Sequence, residues 1–181
     1  MFLHRKFLPF AFVLLGLPLS LALFANLNAQ STAKKDTVLK AADISARIFP
    51  DKVFYRGQVA PVQMRNTGGV RFADDFYVLA GLVDNSGYST GVREKYQGYF
   101  LTEVALEING RALKPGAYGI GFVEGSKFIV TDLGSNNLLE VAGKHDTELK
   151  RPVPLQFLAA PEAGSYRLYL GRDYVTLQRS P

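Results

Sequence analysis

The chain has 181 residues, no cysteine, and 21 lysines and arginines against 16 acids, for a net charge of +5. Without cysteine there is no disulfide bracing, thiolate metal site or cysteine nucleophile, so a fold of this length rests on an apolar core. The charges are interspersed rather than clustered, unlike the basic stripe of a nucleic-acid binder, and no nucleic-acid partner is expected.

The first stretch is MFLHRKFLPFAFVLLGLPLSLALFANLNAQ. Arg5 and Lys6 precede an apolar run from Phe7 to Phe24, and small and polar residues follow it. That order describes a secretory signal peptide, with Leu27 and Ala29 suited to the two small-residue pockets of a signal peptidase. An uncleaved membrane anchor is the alternative, although Pro9 and Pro18 interrupt the run. The expected organisation is a signal peptide over residues 1–29, a flexible polar segment over 30–35, and a single β-rich domain over 36–181. Loss of Arg5 and Lys6 would leave 19 basic against 16 acidic residues, a net charge of +3. The expected location is the periplasm or the medium, with membrane contact only through an uncleaved leader.

The stretch DTVLKAADISARIF follows, and its pattern predicts one short N-terminal helix. Asp36 is a plausible N-cap, Leu39, Ala42, Ala46 and Phe49 share one helical face, and Pro50 ends the run. From Val53 onward the pattern is β. VFYRGQVAPVQMRN and VRF flank NTGG, which predicts a hairpin connection over Asn66 to Gly69. FYVLAGLVD is apolar on both faces and predicts a central strand covered on both sides. In YFLTEVALEING, Phe100, Val104, Leu106 and Ile108 point one way while Glu103 and Glu107 point the other. Asn109-Gly110 is a strong hairpin signal.

The next stretch, ALKPGAYGIGFV, bares Gly119 and Gly121 on the strand face opposite Tyr118, Ile120 and Phe122. Bare backbone in a strand marks close approach by something bulky, and a neighbouring aromatic is the simplest occupant. A second hairpin of similar build spans Ala163 to Leu177. Eight or nine short strands (roughly) at this spacing predict an all-β antiparallel sandwich or jelly-roll-like fold, with a small closed barrel as the alternative.

Catalytic signals are weak. His145 is the only histidine beyond the leader, it lies in a charged loop-like stretch, and no G-x-S-x-G elbow accompanies it. Glu103 and Glu107 would sit roughly 13–14 Å apart along a strand, wide for a glycosidase pair. No catalytic residue, metal ligand or cofactor is expected. The polar-aromatic stretch GYSTGVREKYQGYF is the candidate recognition surface, through Tyr88, Arg93, Lys95, Tyr96 and Tyr99, with Arg65 and Arg71 supplying a cationic edge.

LKPGAYGIGFV, KFIVTDLG, RPVPLQ and YRLYLGRDYV together resemble short exported bacterial β-sandwich proteins of unknown function that carry an L-x-P-G-x-Y hairpin motif. The resemblance covers the C-terminal half from Leu113 and, weakly, APVQMRNTGGVRF; it implies a secreted β-sandwich and no particular chemistry. The expected function is a noncatalytic exported β-domain of the cell envelope or medium that binds a protein, glycan or small molecule. The alternatives are a small hydrolase or lyase using acidic residues, or a lipocalin-like ligand carrier. N-terminal sequencing of the exported protein should begin at Gln30; a protein that retains Met1 would favour the anchor instead.

Overall fold

The structure is a computed structural model, and it describes residues 34–180. The expected signal peptide and most of the expected polar segment lie outside the described residues. In chain order the strands are β1 (Thr37–Lys40), β2 (Lys52–Tyr55), β3 (Gln58–Arg71), β4 (Tyr77–Val83), β5 (Gly98–Thr102), β6 (Leu106–Ile108) and β7 (Arg111–Leu113). They continue as β8 (Gly116–Val123), β9 (Lys127–Thr131), β10 (Asn137–Ala142), β11 (Lys144–His145), β12 (Leu155–Ala159), β13 (Ser165–Leu170) and β14 (Asp173–Arg179). One α-helix, α1 (Thr90–Lys95), interrupts them between β4 and β5.

Two antiparallel sheets result. The first runs β1-β3-β4-β5-β8-β9-β10 with β2 paired to β3; the second runs β12-β13-β14-β6-β7 with β11 paired to β14. The sheets do not close into a barrel, so the fold is the expected sandwich and the barrel alternative is set aside. Alternation sorts side chains between two cores. From the first sheet, Val70, Val78, Ala80, Phe100, Ile120 and Phe128 pack against Leu106, Ile108, Leu168, Val175 and Leu177 of the second. On its other face, Leu79, Val83, Ala60 and Val62 pack against Ile44, Phe49, Tyr55, Tyr88, Val92 and Tyr96. β4 is therefore covered on both sides, as its unbroken apolar run requires.

The helix expected over residues 36–49 does not form. Val38 packs on the inter-sheet core while Leu39 enters the second core, an alternation that suits a strand. β1 pairs with β3 from Thr37↔Arg71 to Lys40↔Gly68, and only a single 3-10 turn, Ala41–Asp43, follows. Ala42 and Ala46, expected on a buried face, are exposed. Asp36 is not a helix cap. Its carboxylate accepts from the Ala73 backbone N–H at 2.9 Å and from the Tyr166 hydroxyl at 2.7 Å, tying the start of β1 to both sheets.

The hairpin expected over Asn66 to Gly69 is also absent, because those residues lie inside β3, where a register irregularity falls between Val62 and Thr67. The true turn is Arg56-Gly57, both at positive φ, joining β2 to β3. By contrast Asn109-Gly110 turns β6 into β7 with φ of 46° and 79°, the left-handed pair that a two-residue hairpin needs. The chain also changes sheets between β5 and β6. Phe100, Val104, Leu106 and Ile108 are nevertheless all buried in the inter-sheet core, as their spacing predicted.

The bare face of β8 is filled. A Cβ on Gly119 would lie 2.6 Å from Thr131 Oγ1, 2.7 Å from the Tyr55 ring and 2.9 Å from the Tyr96 ring. One on Gly121 would lie 2.6 Å from the Lys95 carbonyl oxygen at the end of α1. The occupants are a pair of aromatics and a helix end, so packing explains these glycines. Gly119→Ala should lower unfolding stability by about 1–3 kcal/mol in urea titration, through overpacking of a core without slack. An unchanged midpoint would contradict this packing.

Candidate functional site

The expected tyrosine surface turns inward. α1 forms within the polar-aromatic stretch expected to be a recognition surface, and Tyr88, Val92 and Tyr96, spaced four apart, are buried against the first sheet. That i, i+4, i+8 spacing was a helical signal, masked by the glycines and polar residues between. Tyr55 and Tyr96 stack with ring centroids 3.6 Å apart, and Tyr88 meets both edge-on. The Tyr88 hydroxyl donates to the Tyr55 carbonyl at 3.0 Å, and the Tyr55 hydroxyl bonds Thr131 Oγ1 at 2.8 Å. Tyr99 is half-buried against the same core. Asn85 holds the helix end by donating to the Tyr96 carbonyl at 2.6 Å, and Gln97 Nε2 donates to the Phe122 carbonyl on β8 at 2.8 Å. The binding role expected of Tyr88 and Tyr96 is corrected to a structural one, because no side chain with its ring in this core can meet a partner.

The cationic residues are spread over β3, which carries Arg65 and Arg71, and α1, which carries Arg93 and Lys95. Arg93 is exposed, Lys95 is half-buried and donates to Asn137 Oδ1 at 3.2 Å, and Arg71 is half-buried in β3. Arg65 and Arg71 no longer flank a turn. Arg65 alone of the seven lines a cavity considered below.

Titratable groups are spent on structure. Glu103 accepts from the Tyr77 backbone N–H at 2.8 Å, and Glu107 from Gln178 Nε2 at 2.6 Å. His145 Nδ1 lies 2.8 Å from Asp173 Oδ1, within hydrogen-bond distance. Ser126 Oγ donates to that same oxygen at 3.1 Å. A nucleophilic triad needs the imidazole between hydroxyl and carboxylate, whereas here the carboxylate lies between the other two. Among the described residues no group of three His, Asp or Glu side chains converges as a metal site.

Three concavities stand out. One of about 430 Å³ lies beside Asp36, Asp74 and Arg179, where Arg179 and Asp74 already pair at 2.6 Å. A second, about 600 Å³, lies beside Gln97, Phe122 and Lys127 and is polar and open. The third, about 350 Å³, is the most enclosed, and its walls are chiefly apolar. It opens where β1 ends the first sheet and β12 ends the second. Leu39 stands on one side and Val153, Leu155, Phe157 and Leu158 on the other, with Lys40, Arg65, Asn66 and Gln156 between. Gly68 lets the strands approach, since a Cβ there would meet the Phe157 ring at 3.1 Å. Val153 and Leu158 are 43% and 37% exposed, so apolar surface continues to the mouth. This volume and lining suit a small-molecule pocket. Of the cleft residues, the sequence pointed only to Arg65, for another reason; the rest come together from three distant segments.

Burial pushes the Tyr96 phenol well above the ordinary tyrosine range, with the Tyr88, Tyr55 and Tyr99 rings adding to the shift. Burial likewise raises Tyr88, Tyr99 and Tyr118. Folded-state values above unfolded ones favour the neutral form, so this stability is fully present below the unfolded value of about 10 and is lost as pH rises further. The Tyr96 hydroxyl has no hydrogen-bond partner among the described residues. Tyr96→Phe should therefore raise stability at pH 7 by about 1 kcal/mol and soften the alkaline fall, measured by urea unfolding against pH. Destabilisation by several kcal/mol would show a needed hydroxyl bond. The chain matches no protein-family model, no curated protein and no solved structure.

Proposed function

We propose that this chain is a noncatalytic exported β-domain of the cell envelope or medium whose binding place is the cleft between β1 and β12. The carrying observation is the cleft itself: a half-open space of about 350 Å³, walled by Val153, Leu155 and Phe157, at the free edges of two sheets. Edge strands normally hide apolar surface or cover it with charge, and apolar surface left open beside a pocket marks an interaction site. Export rests on the leader-like first 29 residues and on the resemblance to exported β-sandwich proteins. A core built without cysteine is compatible with either compartment.

The alternative of acid-based catalysis has less support, since Glu103, Glu107 and Asp173 each accept a structural hydrogen bond and none lines the cleft. The lipocalin-like alternative loses its closed barrel, but its essential idea, an apolar ligand held by a β-domain, survives at the sandwich edge.

An uncharged fluorescent probe such as N-phenyl-naphthylamine should bind the purified protein with enhanced emission. Val153→Asp combined with Leu158→Asp should weaken that binding about ten-fold or more, by placing charge on the cleft wall without touching either core. Equal binding by the variant would remove the cleft as the binding place.

A further inference from the structure

Resting on the cleft as the binding place, we infer that its occupant is a single-chain amphiphile with an anionic head, a free fatty-acid carboxylate in its simplest form. The polar groups around the cleft divide into those already occupied and those still free. The Asn66 amide donates to Gln63 Oε1 at 2.7 Å, and the Thr67 hydroxyl donates to the Met64 carbonyl at 2.8 Å. Lys40 and Arg65 form no ion pair among the described residues, and no acidic residue lines the cleft. Gln156 Nε2, buried in the same wall, also lacks a hydrogen-bond partner among the described residues. The charged side chains of the rim are thus two cations without a counter-ion among the described residues.

That asymmetry selects the head group. A carboxylate carries the missing negative charge and accepts charge-assisted hydrogen bonds, so it matches the unpaired Lys40 and Arg65 and the unpartnered Gln156 Nε2. A sugar or an amide would leave both cations without a counter-charge, and an ammonium head would be repelled by them. Lys150 and Arg151 are exposed just before Val153 and add positive charge to the segment that enters the cleft wall. The tail has its own match in Val153, Leu155, Phe157 and Leu158. A volume of about 350 Å³ suits one alkyl chain better than the paired chains of a membrane lipid.

The test compares three twelve-carbon compounds on the purified protein, by displacement of N-phenyl-naphthylamine at fixed pH and two salt concentrations: dodecanoate, dodecanol and dodecyltrimethylammonium. Dodecanoate should bind about ten-fold tighter than dodecanol, with the advantage shrinking at high salt, and the ammonium compound should bind weakest. Lys40→Ala with Arg65→Ala should erase the advantage of dodecanoate over dodecanol, and Arg65→Lys in place of Arg65→Ala should restore part of it. Both side chains are exposed, and an unaltered thermal midpoint would show that the fold is kept.

Equal affinity for dodecanoate and dodecanol would overturn the anionic head while leaving the cleft as a binding place. Retention on anionic vesicles without binding of free dodecanoate would overturn the single-chain ligand. Binding of an extended peptide along β12, with no alkyl compound bound, would do the same. Loss of every alkyl ligand and of the neutral probe would overturn both this inference and the function it rests on.

Discussion

The first sheet is apolar on both faces, and that constraint organises the molecule. Val78 and Ala80 on one side of β4, and Leu79 and Val83 on the other, each need cover from water. At roughly 25 cal/mol per Å² of apolar surface, leaving either face bare would consume a large part of a marginal stability. The second sheet covers one face. The other is covered by irregular chain, the β2–β3 hairpin and the single turn-and-a-half of α1. These pieces have little regular structure of their own and hold their places through side chains: Asn85 on the helix end, Gln97 on β8, Tyr88 on the backbone of Tyr55 and Gln58. Gly119 and Gly121 belong to the same requirement, because a covering layer can lie close only where the sheet presents bare backbone.

The same constraint locates the proposed binding place. Where cover is complete, as over the stacked tyrosines, no room is left for a partner. At the sheet edges cover must end. On the β1–β12 side the strands lean together across Gly68 but do not seal, leaving an apolar gap rimmed by the unpaired Lys40 and Arg65. Function in this reading comes from incompleteness of packing at a free edge rather than from a set of reactive groups.

How much of this was legible in the sequence depended on whether the signal was local. Two-residue alternation in Phe100–Ile108, the doubly apolar run of β4 and the Asn109-Gly110 turn gave the β class and the sandwich. The bare face of β8 was read as a packing device and proved to be one. Residues 36–49 misled because Leu39 and Phe49 suit a helical face, while Val38 and Leu39 equally suit a strand covered on both sides; pairing with β3 decided for the strand. Asn66-Thr67-Gly68-Gly69 has turn-forming composition, but its glycines serve close approach within a long strand. Tyr88 and Tyr96 were mistaken for surface because their flanking residues are polar. The cleft was not legible at all, since residues 39–41, 65–67 and 153–158 meet only after both sheets have formed.

The most direct measurement is an experimental electron-density map of the protein purified from its own host with no ligand added. The account predicts elongated density between Leu39 and Phe157, its polar end toward Arg65, alongside tyrosine rings packed flush on Gly119. A closed seam between β1 and β12, with side chains filling the gap and nothing bound, would contradict it.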